Sequence, residues 1–247
     1  MRRTLGLLAL AGMVVVAVAQ GGGSAALQSL AKALNSANSL SSTYTVQVIG
    51  SAPDSYSVSL KKPNLARIDT PQTLVVADGK NIVRLDKAAK TYYKEPQSDA
   101  ALRALFANDE LNLFAGFFNA EAYKAASVKS LGTKNRKGQT VEAIQANIDA
   151  NGKKQVTYFI SGDKLARAAQ FDLNDPAQKV TYIVDTKSFE IDGTVADTQF
   201  AFKAPEDTKE VSLDELNSEK WYTNLQEAQQ AAIKTNKILM VDFYADW

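Results

Sequence analysis

The sequence predicts an α+β protein, with one large antiparallel sheet and helices on one of its faces. Three observations lead there. Apolar and polar residues alternate over many short runs, as in strands buried on one side only. Two stretches, near residues 25–38 and 98–126, instead carry apolar residues at helical spacing. Turn residues, Asp78-Gly79 foremost, separate neighbouring alternating runs.

The elements follow in order. Arg2 and Arg3 precede the apolar run Leu5–Val16, and Ala17-Val18-Ala19 forms a small-residue cleavage site. This is the pattern of a signal peptide over residues 1–19, cut after Ala19, with a periplasmic or secreted destination. No cysteine follows the cut, so a lipidated N-terminus is not expected. GGGS at 21–24 reads as a flexible leader. A helix is expected over Ala25–Asn38, with Leu27, Leu30, Ala31 and Leu34 on one face. Strands are expected at TYTVQV, YSVSL, LVVADGKNIVRL and Thr91–Lys94, the third being a hairpin around Asp78-Gly79.

Residues 98–126 interrupt the strands with two helices, for which Ser98 and Asp109 are the expected N-caps. Leu102, Leu105 and Phe106 share one helical face; Leu111, Phe114, Ala115 and Phe118 share another, widened by Leu113 and Phe117. Strands then resume at VEAIQANI and KKQVTYFI, around the turn Asp149–Gly152, and continue as KLARAAQFDL, QKVTYIVD, FEIDGTVA and DTQFAFKAP, where Pro205 ends the meander. A charged linker covers 207–220, a helix Leu225–Thr235, and ILMVDFYADW reads as a continuous apolar strand of the kind covered on both faces.

Composition narrows the chemistry. The 247 residues carry 28 basic and 27 acidic side chains, so no basic face is implied and nucleic acid is not an expected partner. There is no histidine and no cysteine. That removes histidine-assisted serine or cysteine catalysis, the usual zinc sites and disulfides. No catalytic residue, metal or cofactor is expected. The aromatic content of 98–126 has two readings: a plain cover completing a core, or a lid over an apolar cavity of the kind that suits acyl chains. Periodicity does not choose between them.

The stretch YSVSLKKPNLARIDTPQTLVVADGKNIVRL resembles the bacterial lipoprotein-carrier (LolA-type) family: a strand ending in basic-basic-Pro-Asn, a short strand, then an apolar strand into a D-G-K hairpin. FAFKAPEDTKEV is similar to that family's closing strand. The resemblance covers about residues 25–211, and the carrier-like domain is placed at 20–211. It implies an unclosed β-barrel whose concave face is covered by helices, and a cavity that holds the acyl chains of lipids or lipoproteins. Lid candidates are then Leu102, Leu105, Phe106, Leu111, Phe114, Phe117 and Phe118; cavity-wall candidates are Tyr44, Val46, Val58, Leu60 and Val76. The family's latch arginine, just before the proline, is here Lys62, which lacks the planar fork. Arg67 is the nearest arginine and the second latch candidate, and Ala66 stands where the family often has an aromatic residue.

The ending KWYTNLQEAQQAAIKTNKILMVDFYADW resembles the start of a thioredoxin-like domain, incomplete within 212–247. In that family a C-x-x-C follows the tryptophan, Asp242 would be the buried acid beneath the dithiol, and Lys237 the basic residue before the strand. The ending reads as a domain cut within a longer reading frame. The sequence expectation is a periplasmic or secreted carrier of acyl chains, not an enzyme, served by a membrane-bound donor, acceptor or regulatory partner. A thiol–disulfide oxidoreductase, with the first domain docking it, and an envelope-stress or lipid-sensing regulator are the alternatives.

Overall fold

The computed structural model describes residues 18–148, 151, 153–175, 178–213, 222, 224–235 and 238–241. Its strands are β1 (Ser39–Val48), β2 (Asp54–Lys61), β3 (Leu65–Asp69), β4 (Thr73–Asp78), β5 (Asn81–Asp86), β6 (Thr91–Pro96), β7 (Ser127–Arg136), β8 (Gln139–Asn147), β9 (Lys154–Ile160), β10 (Ala166–Asp175), β11 (Gln178–Ile191) and β12 (Lys209–Glu210). The helices are α1 (Val18–Ser36), α2 (Asp99–Ala104) and α3 (Leu225–Thr235), with 3-10 turns at Asn112–Phe117 and Asp197–Phe200. The strands form one twelve-stranded sheet that is not closed, in the order β12-β6-β5-β4-β3-β2-β1-β11-β10-β9-β8-β7. The architecture is α+β, as the alternation predicts.

Four expectations are corrected. The sheet is mixed, because β12 pairs with β6 in parallel through Lys209↔Thr91 and Glu210↔Tyr92. The closing strand expected at DTQFAFKAP is a 3-10 turn followed by irregular chain. Asp192, at φ 56°, breaks the extended backbone ahead of it. The second helix of the 98–126 insertion is 3-10 rather than α, and Ile238–Val241 forms no strand. A strand exists only through a paired neighbour, and Ile238 and Met240 are 98% and 76% exposed.

The chain divides into two compact units. The first holds residues up to Ala37, Tyr44–Asp54 and Arg103–Lys187. There α1 packs against β7, β8 and the 3-10 turn Asn112–Phe117. The predicted face of α1 is the buried one: Leu27, Leu30, Ala31 and Leu34 are all at most 3% exposed. Strands β8 to β11 run antiparallel in register, with Ile144↔Tyr158, Ala169↔Tyr158 and Ala169↔Val184 opposite one another. Opposed residues share a face. One face therefore presents Ile144, Val156, Tyr158, Ala169, Phe171, Tyr182 and Val184. The other presents Gln145, Gln155, Thr157, Gln170, Asp172 and Thr181.

The second unit holds Asn38–Thr43, Ser55–Leu102 and residues from Ser188 onward. The Asp78-Gly79 hairpin forms as expected: Gly79 has φ +92°, where a Cβ is disfavoured, and Asp78 Oδ1 accepts the N–H groups of Lys80 and Asn81. Register puts Val58, Leu60, Ala66, Ile68, Val75, Ala77 and Ile82 on one face. Arg67, Leu74, Val76, Val83 and Leu85 lie on the opposite one. Both faces of β4 are buried. On the second face, Leu74, Val76 and Leu85 cluster under Tyr92 and Phe202.

Candidate functional site

The aromatic insertion supplies the site. Ser98 caps α2 as predicted, its Oγ accepting the Ala101 N–H at 3.1 Å. Asp109 does not cap the next helical turn, which has no side-chain cap; just ahead of it, Asn108 Oδ1 accepts the Leu111 N–H at 2.9 Å. The turn Asn112–Phe117 tightens to 3-10 where it meets α1. An added Cβ on Gly116 would lie 3.0 Å from the Tyr123 ring and 3.2 Å from the Ala31 backbone, so a larger residue would have to push these neighbours back by a few tenths of an ångström.

Around that contact the predicted lid residues of the first unit converge. Leu105, Phe106, Leu111, Phe114 and Phe117 are buried, and Phe118 is half-buried. Phe118 bridges Phe106 and Phe117, at ring-centroid separations of 5.7 and 4.8 Å. The wall candidate Tyr44 meets Phe114 at 5.1 Å, and Val46, on the same side of β1, is buried. These aromatic pairs exceed simple area burial in strength.

The remaining candidates lie in the second unit. Leu102, Val58 and Leu60 are buried there, and Val76 takes the face opposite Val58 and Leu60. Arg67 Nη1 donates to the Gln199 carbonyl at 3.4 Å. The Lys62 backbone N–H donates to the Asn38 carbonyl at 2.8 Å, and burial lowers the pKa of its ammonium. Asp242 and Lys237 fall outside the described residues.

Polar residues that the sequence reading passed over fasten the insertion to the strands. The Tyr158 hydroxyl donates to Asn112 Oδ1 at 2.5 Å. Asp109 accepts the Tyr182 hydroxyl through Oδ2 and the Lys154 ammonium through Oδ1. Tyr123 donates to the Leu113 carbonyl at 2.9 Å and accepts the Gly116 N–H at 3.2 Å. Asn35 Nδ2 of α1 reaches the Phe117 carbonyl at 3.3 Å. Burial pushes the hydroxyl pKa values of Tyr123, Tyr158 and Tyr182 above the ordinary tyrosine range, so all three stay neutral donors. The available signal was polar Asp109 and Asn112 inside an apolar run, which needs partners when folded.

Two grooves flank α1. One, of about 520 Å³, runs between Leu27 and Ala31 on the helix and Tyr123, Lys124 and Val128 beyond it. The other, of about 370 Å³, lies on another side of the helix, against Val141, Ile160 and Lys164.

The described residues thus form an unclosed, mostly antiparallel sheet with a buried aromatic insertion. Residues 25–214 match the family described as "Predicted periplasmic protein (DUF2092)". The chain belongs to that family and is periplasmic. None of the curated proteins matches the sequence. Among solved structures, an uncharacterised conserved protein from Thermus thermophilus is similar at 12% identity and TM-score 0.50, over 77% of this chain and 99% of that one. Mycobacterium tuberculosis lipoprotein LppX is similar at 14% identity and TM-score 0.45, over 71% and 98%. A putative outer membrane lipoprotein-sorting protein domain from Vibrio parahaemolyticus is similar at 10% identity and TM-score 0.34, over 73% and 97%. At 12% identity, the likeness to the Thermus thermophilus protein concerns the fold alone.

Proposed function

We propose that this periplasmic protein is a carrier, not an enzyme, that holds the acyl chains of lipids or lipoproteins in the first unit. In this reading the chains take the place of the rings packed between the insertion and the apolar face of β8–β11. One observation carries the reading: Phe106, Phe114 and Phe117 of the insertion are buried under it, and an open groove of about 520 Å³, lined by Leu27, Ala31 and Val128 as well as by Gln28, Glu121 and Lys124, runs along α1. That volume lies within the ~300–1,000 Å³ of ligand sites. Rings filling a site can be displaced by an apolar guest at small cost, because both make the same non-directional contacts. The LolA-type motifs around Lys62-Pro63-Asn64 support the same reading, with a membrane-bound donor or acceptor as the partner.

The test is competition for an environment-sensitive apolar dye, anilinonaphthalene sulfonate, on the purified protein. A palmitoylated lipopeptide should displace the dye, and the same peptide without its acyl chain should not. Equal displacement by both peptides sinks the acyl-chain reading. The thioredoxin-like reading of 220–247 stays a proposal resting on the sequence; α3 falls on the helix that reading requires.

A further inference from the structure

We infer that Asp109 is the latch of the insertion: the site opens when its carboxylate exchanges the Tyr182 hydroxyl and the Lys154 ammonium for water. The inference rests on the acyl-chain reading for what enters, but not for what moves.

The argument begins with what holds the insertion down. Most of its contact with the first unit is apolar, through Leu105, Phe106, Leu111, Leu113, Phe114 and Phe117. An apolar guest can replace such contacts. A hydrogen bond cannot be replaced by a hydrocarbon, so the polar ties decide whether the insertion lifts. Two of its side-chain ties to the strands differ in their access to water. The Tyr158–Asn112 tie is deep, with Tyr158 only 1% exposed and its ring edge-on to Tyr123 at 5.3 Å. The Asp109 tie is at the rim: its carboxylate side chain is 14% exposed and Lys154 is 31% exposed. Water can take over the second and not the first.

Position adds direction. Tyr182 stands opposite Phe171, and Lys154 opposite Leu173, so Asp109 spans β9 and β11 across β10. Tyr182 is stacked on Phe171, with centroids 5.1 Å apart and planes 14° off parallel. Asp109 therefore grips two strands at once, above an aromatic platform that stays behind when it releases. The Asn112 tie, the Tyr123 bonds to Leu113 and Gly116, and the Gly116–α1 contact form the fixed end. The inferred motion lifts residues 105–111 about that end.

The test compares the full-length wild-type protein with D109A, Y182F and K154M by hydrogen exchange and by stopped-flow dye uptake. Y182F removes one hydroxyl and keeps the stack, so it covers the case in which D109A does not fold. The expected result is faster exchange confined to residues 105–111, with the fixed end and β8–β11 unchanged. Dye uptake should be about tenfold faster, since a lost charged hydrogen bond is worth at least that ratio. Unchanged exchange at 105–111 in the folded variants overturns the latch, as does an equal rise throughout the unit, which marks Asp109 as a general staple. Local acceleration in a protein that takes up no dye in any form upholds the latch and refutes the acyl-chain reading.

Discussion

Each unit lays a short helical segment over its strands, and the two are fastened in opposite ways. In the first unit the ties of the insertion are withdrawn from water: Tyr158 and Tyr123 are buried, and Asp109 nearly so. In the second unit the turn Asp197–Phe200 covers β3 and β4. Its ties are open: Lys61 meets Asp197 at 2.5 Å, but the Asp197 side chain is 77% exposed, and Arg67 reaches the Gln199 carbonyl at 3.4 Å. What holds the second cover is apolar, with Phe200 buried and Phe202 against Tyr92 at 5.0 Å over the Leu74–Val76–Leu85 cluster. Buried polar ties are directional and costly to break; exposed ones are exchanged for water at little cost. The difference teaches that the first cover is oriented by directional bonds largely withdrawn from water, and the second is held by apolar packing with exposed ties around it.

The comparison can be broken at several strengths. The largest effect is expected from Phe114→Ala, which empties a fully buried site beside Tyr44. It should cost about 3–5 kcal/mol, read as a lower urea midpoint; a loss below about 1 kcal/mol would mean the rings are not the insertion's core. Next, Tyr158→Phe strips the donor from Asn112 without changing shape. Leaving that amide unsatisfied should cost about 1–3 kcal/mol. A neutral result in the same melt would place the Asn112 amide in contact with water and erase the contrast between deep and rim ties. The smallest effect is expected from Asp197→Ala in the second unit. Its exposed pair is worth at most about 1 kcal/mol and should fade with added salt. A salt-insensitive loss of several kcal/mol would show that the second cover is pinned as the first is.

Much of this was legible in the sequence. Tyr56, Val58 and Leu60 alternate as β2 does, and the Asp78-Gly79 turn and the Leu27–Leu34 stripe of α1 stand where local pattern puts them. What escaped was set by distant partners. Period two cannot assign Val76 to a face, because β4 is buried on both sides and the alternation disappears. Asp109 has the local look of an N-cap, yet it answers to Tyr182, 73 residues further along. The 3-10 form of Asn112–Phe117 depends on Gly116 touching α1, and the parallel β12 depends on β6; neither leaves a mark in its own segment. Helical spacing found the buried side of the insertion but was silent on the polar residues that fasten it.

The tyrosines of the insertion's seat also have an optical consequence. Both tryptophans, Trp221 and Trp247, fall outside the described residues; the aromatic rings described in the first unit are those of tyrosine and phenylalanine. Tyr182 lies flat on Phe171, and Tyr158 stands edge-on to Tyr123; rings in such fixed chiral settings give strong near-ultraviolet dichroism. Lifting the insertion parts Tyr182 from Asp109, and raising its fixed end parts Tyr158 from Asn112. The protein thus carries its own unlabelled gauge: tyrosine ellipticity reports how the insertion is seated.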